Sequence, residues 1–314
     1  MAANRNVLVT GATSGLGLEA CRSIARQPEV TIIAGVRQPQ ASRDLKATVP
    51  ADRLVLFPLD LVSFGSVRDF TRQVREWIGP SGSIDAIACN AGLQVTNGLN
   101  FSADGFELTF AVNHLAHFLL VDGLFDRLAP GGAVIFTASG THDPKDKLAR
   151  LFGFRGGLFP SAEAVSRGAL DPKAKEKQLG LDRYATSKLC AILYTYEMAR
   201  RVDAARARFI AFDPGLMPGT GLARDRSAVE RFGWSYVMPV FARALPGAST
   251  TPTSGAALAR LLVEPSLAPG SGLHFDFNLR QTQTSPDTRR EDWARDLFAL
   301  SDKLIGKQQV GAAG

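Results

Sequence analysis

Tyr184 and Lys188, four positions apart in Tyr184-Ala185-Thr186-Ser187-Lys188, are residue types that can move a proton together. On a helix, residues four apart share a face, so a phenol and an ammonium can meet one ligand. A tyrosine hydroxyl ordinarily titrates near ~10. A lysine cation beside it favours the phenolate and lowers that value. Such a pair can give a proton to an alkoxide or take one from an alcohol. The spacing is common in surface helices, so its meaning depends on what stands around it.

A second feature supplies that context. Strand-like Asn6-Val7-Leu8-Val9-Thr10 runs straight into Gly11-Ala12-Thr13-Ser14-Gly15-Leu16-Gly17 and then a helical pattern. Glycines permit a tight turn and a close approach of backbone to a pyrophosphate, and the N–H groups at the helix start bind its charge. The strand–turn–helix setting separates this run from an ordinary glycine-rich turn.

The spacing G-x-x-x-G-x-G resembles the T-G-x-x-x-G-x-G signature of the short-chain dehydrogenase/reductase family. Asn90-Ala91-Gly92 is similar to the family's N-A-G segment, which lies under the cofactor. Asn113, Ser139, Tyr184, Lys188 and Pro214-Gly215 follow in the family's order, and the resemblance spans about residues 5 to 275. It implies that Tyr184 is the acid/base and that Lys188 also holds the nicotinamide ribose. By the same resemblance Ser139 donates to the substrate oxygen, and Asn113 holds a water that links Lys188 to solvent. The implied cofactor contacts are Gly11, Thr13, Ser14, Gly15, Leu16, Gly17, Asp60 near the adenine, Leu61, Asn90, Ala91, Gly92, Tyr184, Lys188, Pro214, Gly215 and Thr220. The second strand ends Ala34-Gly35-Val36-Arg37. An acidic residue there would bind a ribose 2′-hydroxyl; Arg37 can instead grip a 2′-phosphate, so NADP(H) is expected over NAD(H).

Ser102 to Leu108, and Val112-Asn113-His114-Leu115-Ala116-His117-Phe118-Leu119-Leu120, look like the retinol dehydrogenase and light-dependent protochlorophyllide reductase branches. The long Ser139–Tyr184 interval and the stretch from Trp293 to Gly306 point the same way. One position departs. The photoenzymes carry a cysteine after this Pro-Gly, where the chain has Leu216. A dark carbonyl/alcohol oxidoreductase is therefore expected. Protochlorophyllide-type double-bond reduction and a non-catalytic NADP(H)-sensing regulator are the alternatives. Retention of Asn113, Ser139, Tyr184 and Lys188 favours an enzyme.

These residues need a scaffold. Apolar runs at 6–10, 30–35, 54–59, 84–89, 133–137, 208–212 and 272–275 read as strands buried on both faces. Helical patterns at about 15–27, 63–78, 104–128, 182–202, 253–263 and 288–305 alternate with them. The expected fold class is α/β: one Rossmann-type doubly wound parallel sheet with helices on both faces, a single domain over 1–306. An insertion at 140–180, a substrate lid at about 216–252 and a frayed tail at 307–314 complete it. The segment Leu222–Leu245 carries Phe232, Trp234, Tyr236, Val237, Met238, Val240 and Phe241 among Arg224, Arg226, Arg231 and Arg243. It is either a lid over an apolar pocket, implying a bulky hydrophobic substrate, or a helix packed on the core.

Net charge is +6, but its arginines are scattered, which argues against a nucleic-acid surface. Cys21, Cys89 and Cys190 are far apart and form no CxxC pair, consistent with a reduced cytoplasmic protein without structural zinc. His114 and His117 lack a partner carboxylate motif and are expected to pack or cap locally, so no metal is expected. No signal peptide is expected before the first strand, and no apolar run is expected to approach the ~20 residues needed to span a bilayer. A homodimer is a possible assembly.

Overall fold

A computed structural model describes residues 5–217 and 247–306. Seven strands, β1 (Arg5–Thr10), β2 (Val30–Val36), β3 (Leu54–Pro58), β4 (Ile84–Cys89), β5 (Leu128–Thr137), β6 (Ala207–Asp213) and β7 (Leu273–Asp276), form one sheet. Its order is β3-β2-β1-β4-β5-β6-β7, and every pairing is parallel. β2 is buried at every position, as its Val, Ile and Ala content requires of a strand covered on both faces. Side chains alternate along β1: Leu8 joins one core, Val7 and Val9 the other. One core holds α3 (Phe64–Ile78), α5 (Ala116–Leu124), α8 (Glu176–Arg201) and α10 (Glu291–Gly306); the opposite core holds α1 (Gly15–Ile24) and α9 (Thr251–Val263). The sheet is therefore doubly wound. Its strand order reverses between β1 and β4, where such folds bind ligands.

The long helix expected from 104 begins later, as α4 (Leu108–Phe110). Gly105 takes φ +82°, and the Glu107 carboxylate caps the helix by accepting from Thr109 N (3.0 Å) and Phe110 N (2.7 Å). A π-helical segment, Ala111–Leu115, then joins α4 to α5. Such segments recur at functional sites, and this one carries Asn113. The whole Leu108–Arg127 helix is long and apolar enough to cross a bilayer, contrary to the sequence expectation. Its most apolar stretch is 78% buried inside the protein, which is the behaviour of a core helix.

The insertion is not a loop. It holds α6 (Lys147–Leu151), capped by Asp146, and α7 (Ala162–Ser166), capped by Ser161. α8 also starts earlier than its apolar pattern suggests, at Glu176. A carboxylate in that first turn suits the helix's positive end. Arg155 grips Asp182 with two bonds, 3.0 and 2.7 Å, and Thr186 Oγ1 donates to Leu158 O at 3.0 Å. These contacts lock the insertion onto the face of α8 beside Tyr184. A short helix, α2 (Arg43–Thr48), was not foreseen. Thr220 and the aromatic segment 222–245 lie outside the described residues.

His114 and His117 are structural in the described fold. His114 Nε2 lies 2.9 Å from Ser301 Oγ, and its ring stacks on Phe110. His117 Nε2 lies 3.0 Å from Thr10 Oγ1. Burial pushes His114 down to about 3 and His117 to about 4. Their folded values lie below the unfolded one, so the stability they lend is present above ~6.5 and is lost as pH falls towards the folded values. Each ring should remove up to about 1.4 kcal/mol per pH unit in that window. Urea unfolding at pH 7 and pH 5 should show this loss. Equal stability at both would mean that the rings charge freely in the folded chain.

Candidate active site

The glycine turn opens where β1 meets its neighbour β4. Thr10 Oγ1 accepts from Asn90 N (2.9 Å) and Ala91 N (3.0 Å), and Asn90 Nδ2 donates to Thr10 O (2.9 Å). His117 closes this set from behind: its Nε2 lies 3.0 Å from Thr10 Oγ1, which donates to Ala88 O (3.1 Å), and its Nδ1 lies 3.4 Å from Asn113 O. A Cβ at Gly17 would collide with Gly11 O and lie 2.7 Å from Asn90 Nδ2, so the turn closes only with glycine there. The Ser14 side chain at the start of α1 makes no capping bond, which leaves N–H groups of the first turn for a ligand. An uncapped helix start over a glycine turn fits a dinucleotide pyrophosphate. At the end of β2, Arg37 is exposed, lines the same cavity and has no ion-pair partner among the described residues. That fits a phosphate monoester beyond the strand. Asp60 is also exposed, and its Oδ1 accepts from Val62 N at 3.1 Å.

All described residues that the sequence suggested for the site line one cavity of about 890 Å³, with the single exception of Asn113. Asn113 stands behind Gly92: a Cβ on that glycine would lie 3.2 Å from Asn113 Oδ1 and 3.8 Å from Lys188 Nζ. The Asn113 side chain makes three hydrogen bonds. Oδ1 accepts from Leu93 N (2.9 Å), and Nδ2 donates to Leu93 O (3.0 Å) and Ser187 Oγ (2.9 Å). Its amide therefore ties the N-A-G segment to α8, and a bridging water would have to use the remaining lone pairs.

Tyr184 and Lys188 are 7% and 6% exposed and face the same cavity from α8. Lys188 Nζ donates to Thr137 O at 2.8 Å and lies 5.6 Å from the centre of the Tyr184 ring. Burial pushes the ammonium down to about 8, opposed by the Asp213 carboxylate. The Tyr184 hydroxyl is pushed up, first by burial and then by Asp213. The sequence expectation had the lysine lowering it. Desolvation of the phenolate is the largest influence here, so the group rests protonated. Ser139 Oγ accepts from Thr141 N (3.3 Å), which leaves its own proton free to donate.

Sequence reasoning missed Thr10, Thr137, His142 and Asp213. His142 Nδ1 donates to Ser139 O (2.7 Å), and Ser285 N donates to its Nε2 (3.4 Å). Asp213, directly before Pro214-Gly215, could have been flagged as an acid entering a motif already recognised. Among the described residues no group of three His, Cys, Asp or Glu could hold a metal ion. Cys190 is buried in the core.

A doubly wound parallel sheet with a glycine cradle at its switch point, and a tyrosine–lysine pair facing it, defines a nucleotide-dependent oxidoreductase. A family model described as short chain dehydrogenase matches residues 5–146. Protochlorophyllide reductase B, chloroplastic, of Hordeum vulgare is 31% identical, over 96% of this chain and 78% of its own length. An uncharacterized protein from Mycobacterium Paratuberculosis has a TM-score of 0.63 at 27% identity, over 96% of this chain and 94% of its own. A short chain dehydrogenase from Burkholderia cenocepacia J2315, solved in complex with NADP, shares the fold at 18% identity, with a TM-score of 0.61 over 87% and 96% of the two chains. The chain belongs to the short-chain dehydrogenase/reductase family and is an oxidoreductase of that family.

Proposed function

We propose that this protein is an NADP(H)-dependent oxidoreductase acting on a carbonyl/alcohol group of a bulky, mostly hydrophobic small molecule, with Tyr184 as acid/base. The observation that carries the reading is that Ser139, Tyr184 and Lys188 open into the same cavity as the glycine cradle and Arg37. Gly11 to Gly17 would hold the pyrophosphate, Arg37 the 2′-phosphate and Lys188 the nicotinamide ribose. The bound cofactor supplies or accepts the hydride. Ser139 orients the carbonyl oxygen, and Tyr184 delivers its hydroxyl proton to that oxygen as negative charge grows on it. A cationic ring beside Tyr184 would ease its return to the phenolate. Lys188, fixed by Thr137 O, keeps positive charge behind the tyrosine. Leu93, Phe152, Phe154, Met217 and Phe277 line the substrate side and favour an apolar body. Three unpaired, buried cysteines suit a reducing cytoplasmic setting.

A screen of NADPH oxidation in the dark should find turnover of aromatic, isoprenoid or polycyclic carbonyls above that of sugars and hydroxy acids. The opposite preference would overturn the substrate reading. Identity to the barley protochlorophyllide reductase favours a second reading, double-bond reduction driven by light. Leu216 lines the cavity and offers no proton there. Turnover that requires illumination would decide for this second reading.

A further inference from the structure

The cavity wall beside Ser139 carries more acid than the reaction above uses. Asp213 ends β6 and Asp276 ends β7, and the two are register partners on adjacent parallel strands. Asp146 caps α6 across from them, and all three line the cavity. In each, Oδ1 is committed to backbone: Asp146 to Ala149 N (2.7 Å), Asp213 to Gly215 N (2.9 Å), and Asp276 to Asn278 N and Arg280 N (both 2.9 Å). The second oxygens of Asp146 and Asp213 converge over Gly140. A Cβ there would lie 2.7 Å from Asp146 Oδ2 and 3.4 Å from Asp213 Oδ2, which puts the two oxygens within about 6 Å of each other. A side chain at position 140 would fill that space. No described lysine or arginine forms an ion pair with either carboxylate.

An independent feature points to a ligand at the same wall. His274, two residues before Asp276, is 5% exposed and lines the cavity. Its Nδ1 lies 2.7 Å from Thr282 Oγ1, and its Nε2 has no partner among the described residues. Burial holds the ring neutral, pushed down to about 4. In the tautomer that donates from Nδ1, Nε2 is an acceptor in want of a donor. Thr141 Oγ1, next to Gly140, is also unpartnered.

We infer that this wall is a second subsite, formed by Asp146, Asp213 and His274 over Gly140, which takes a protonated amine on the substrate close to the reacting carbonyl. The inference rests on the carbonyl/alcohol reading above and sharpens its substrate class to an apolar body bearing a cationic nitrogen. Burial raises the Asp213 carboxyl above its ordinary range, against the pull of the Gly215 N–H, His142 and Lys188. An ammonium between it and Asp146 favours the carboxylate and makes charge-assisted hydrogen bonds to both. With His274 in its Nδ1–H tautomer, the carboxylates and the imidazole are all acceptors toward it. Phe152, Phe154 and Phe277 line the same cavity and suit the uncharged remainder.

The test uses an isosteric pair: (aminomethyl)acetophenone, whose ammonium has three N–H donors at neutral pH, and ethylacetophenone, its neutral counterpart, each as meta and para isomers. Calorimetric binding to the NADP⁺-loaded protein should favour the amine on the order of tenfold. Asp146→Asn should abolish that advantage and leave the neutral ketone unaffected, because asparagine caps α6 as well as aspartate does. Asp213→Asn should abolish it too, with amide oxygen still able to accept from Gly215 N. Equal affinity for the pair in the unmodified protein, or an advantage that survives both substitutions, overturns the subsite. Turnover is read separately. If the amine advantage holds and falls with Asp146→Asn but neither ketone is reduced, the subsite stands and the carbonyl reading fails. If the neutral ketone is reduced and the amine gains nothing, the carbonyl reading stands and the subsite fails.

Discussion

Replacing Tyr184 with Phe is expected to remove turnover while leaving NADPH affinity unchanged. The ring stays in place against Phe154 (centroids 6.0 Å) and within 5.6 Å of Lys188 Nζ, so the packing around the site is kept. Only the hydroxyl is lost, and with it the one group placed to protonate the alkoxide. A positioned general acid contributes roughly 10²- to 10⁴-fold, and a loss of that size in kcat is the expected result. The buried hydroxyl rests protonated. Its removal should therefore also flatten any alkaline limb in the pH profile of alcohol oxidation. Steady-state rates with a fluorescence titration of NADPH check both halves. A Phe variant with near-normal kcat would show that another group supplies the proton.

Arg37→Glu should reverse the cofactor preference. Arg37 is exposed at the end of β2 and holds no described carboxylate, so its guanidinium is available to a 2′-phosphate. A hydrogen bond to a charged group is worth about 1.5–3 kcal/mol, or roughly ten- to a hundredfold in affinity. Glutamate would lose that contact, repel the phosphate and accept from the 2′-hydroxyl of NADH. Dissociation constants for NADPH and NADH on both proteins measure the switch. Equal affinity for the two cofactors in the unmodified protein would remove the basis of the NADP(H) assignment.

The two substitutions probe parts of the molecule that differ in how they could be read. The cradle is local. Thr10 to Gly17 is one short run whose glycines, strand and helix are adjacent in the chain, so backbone sterics alone specify it. The Tyr184–Lys188 spacing is local too, because one helical turn places both on one face. The buried strands declared themselves by unbroken apolar content, as β2 shows. The sheet, the cofactor cradle and the reacting pair were thus legible as short-range patterns.

What the tertiary structure decided is long-range. Nothing in a linear pattern announces that the Glu107 carboxylate caps α4 and delays the helix to Leu108. Nor does it announce that the next turns widen into a π segment around Asn113. The 140–180 stretch looked like a loop because its helices are short, and short helices hold only through packing such as Arg155 on Asp182. The protonation bias of Tyr184 also depended on the fold, since burial, which a sequence does not display, pushes its hydroxyl up. The acidic wall is the clearest case. Asp146 comes from a helix cap, Asp213 from the carboxyl end of β6 and His274 from within β7, far apart in the chain. They line one cavity because β6 and β7 run parallel side by side, and because Gly140 leaves room for two carboxylates above it.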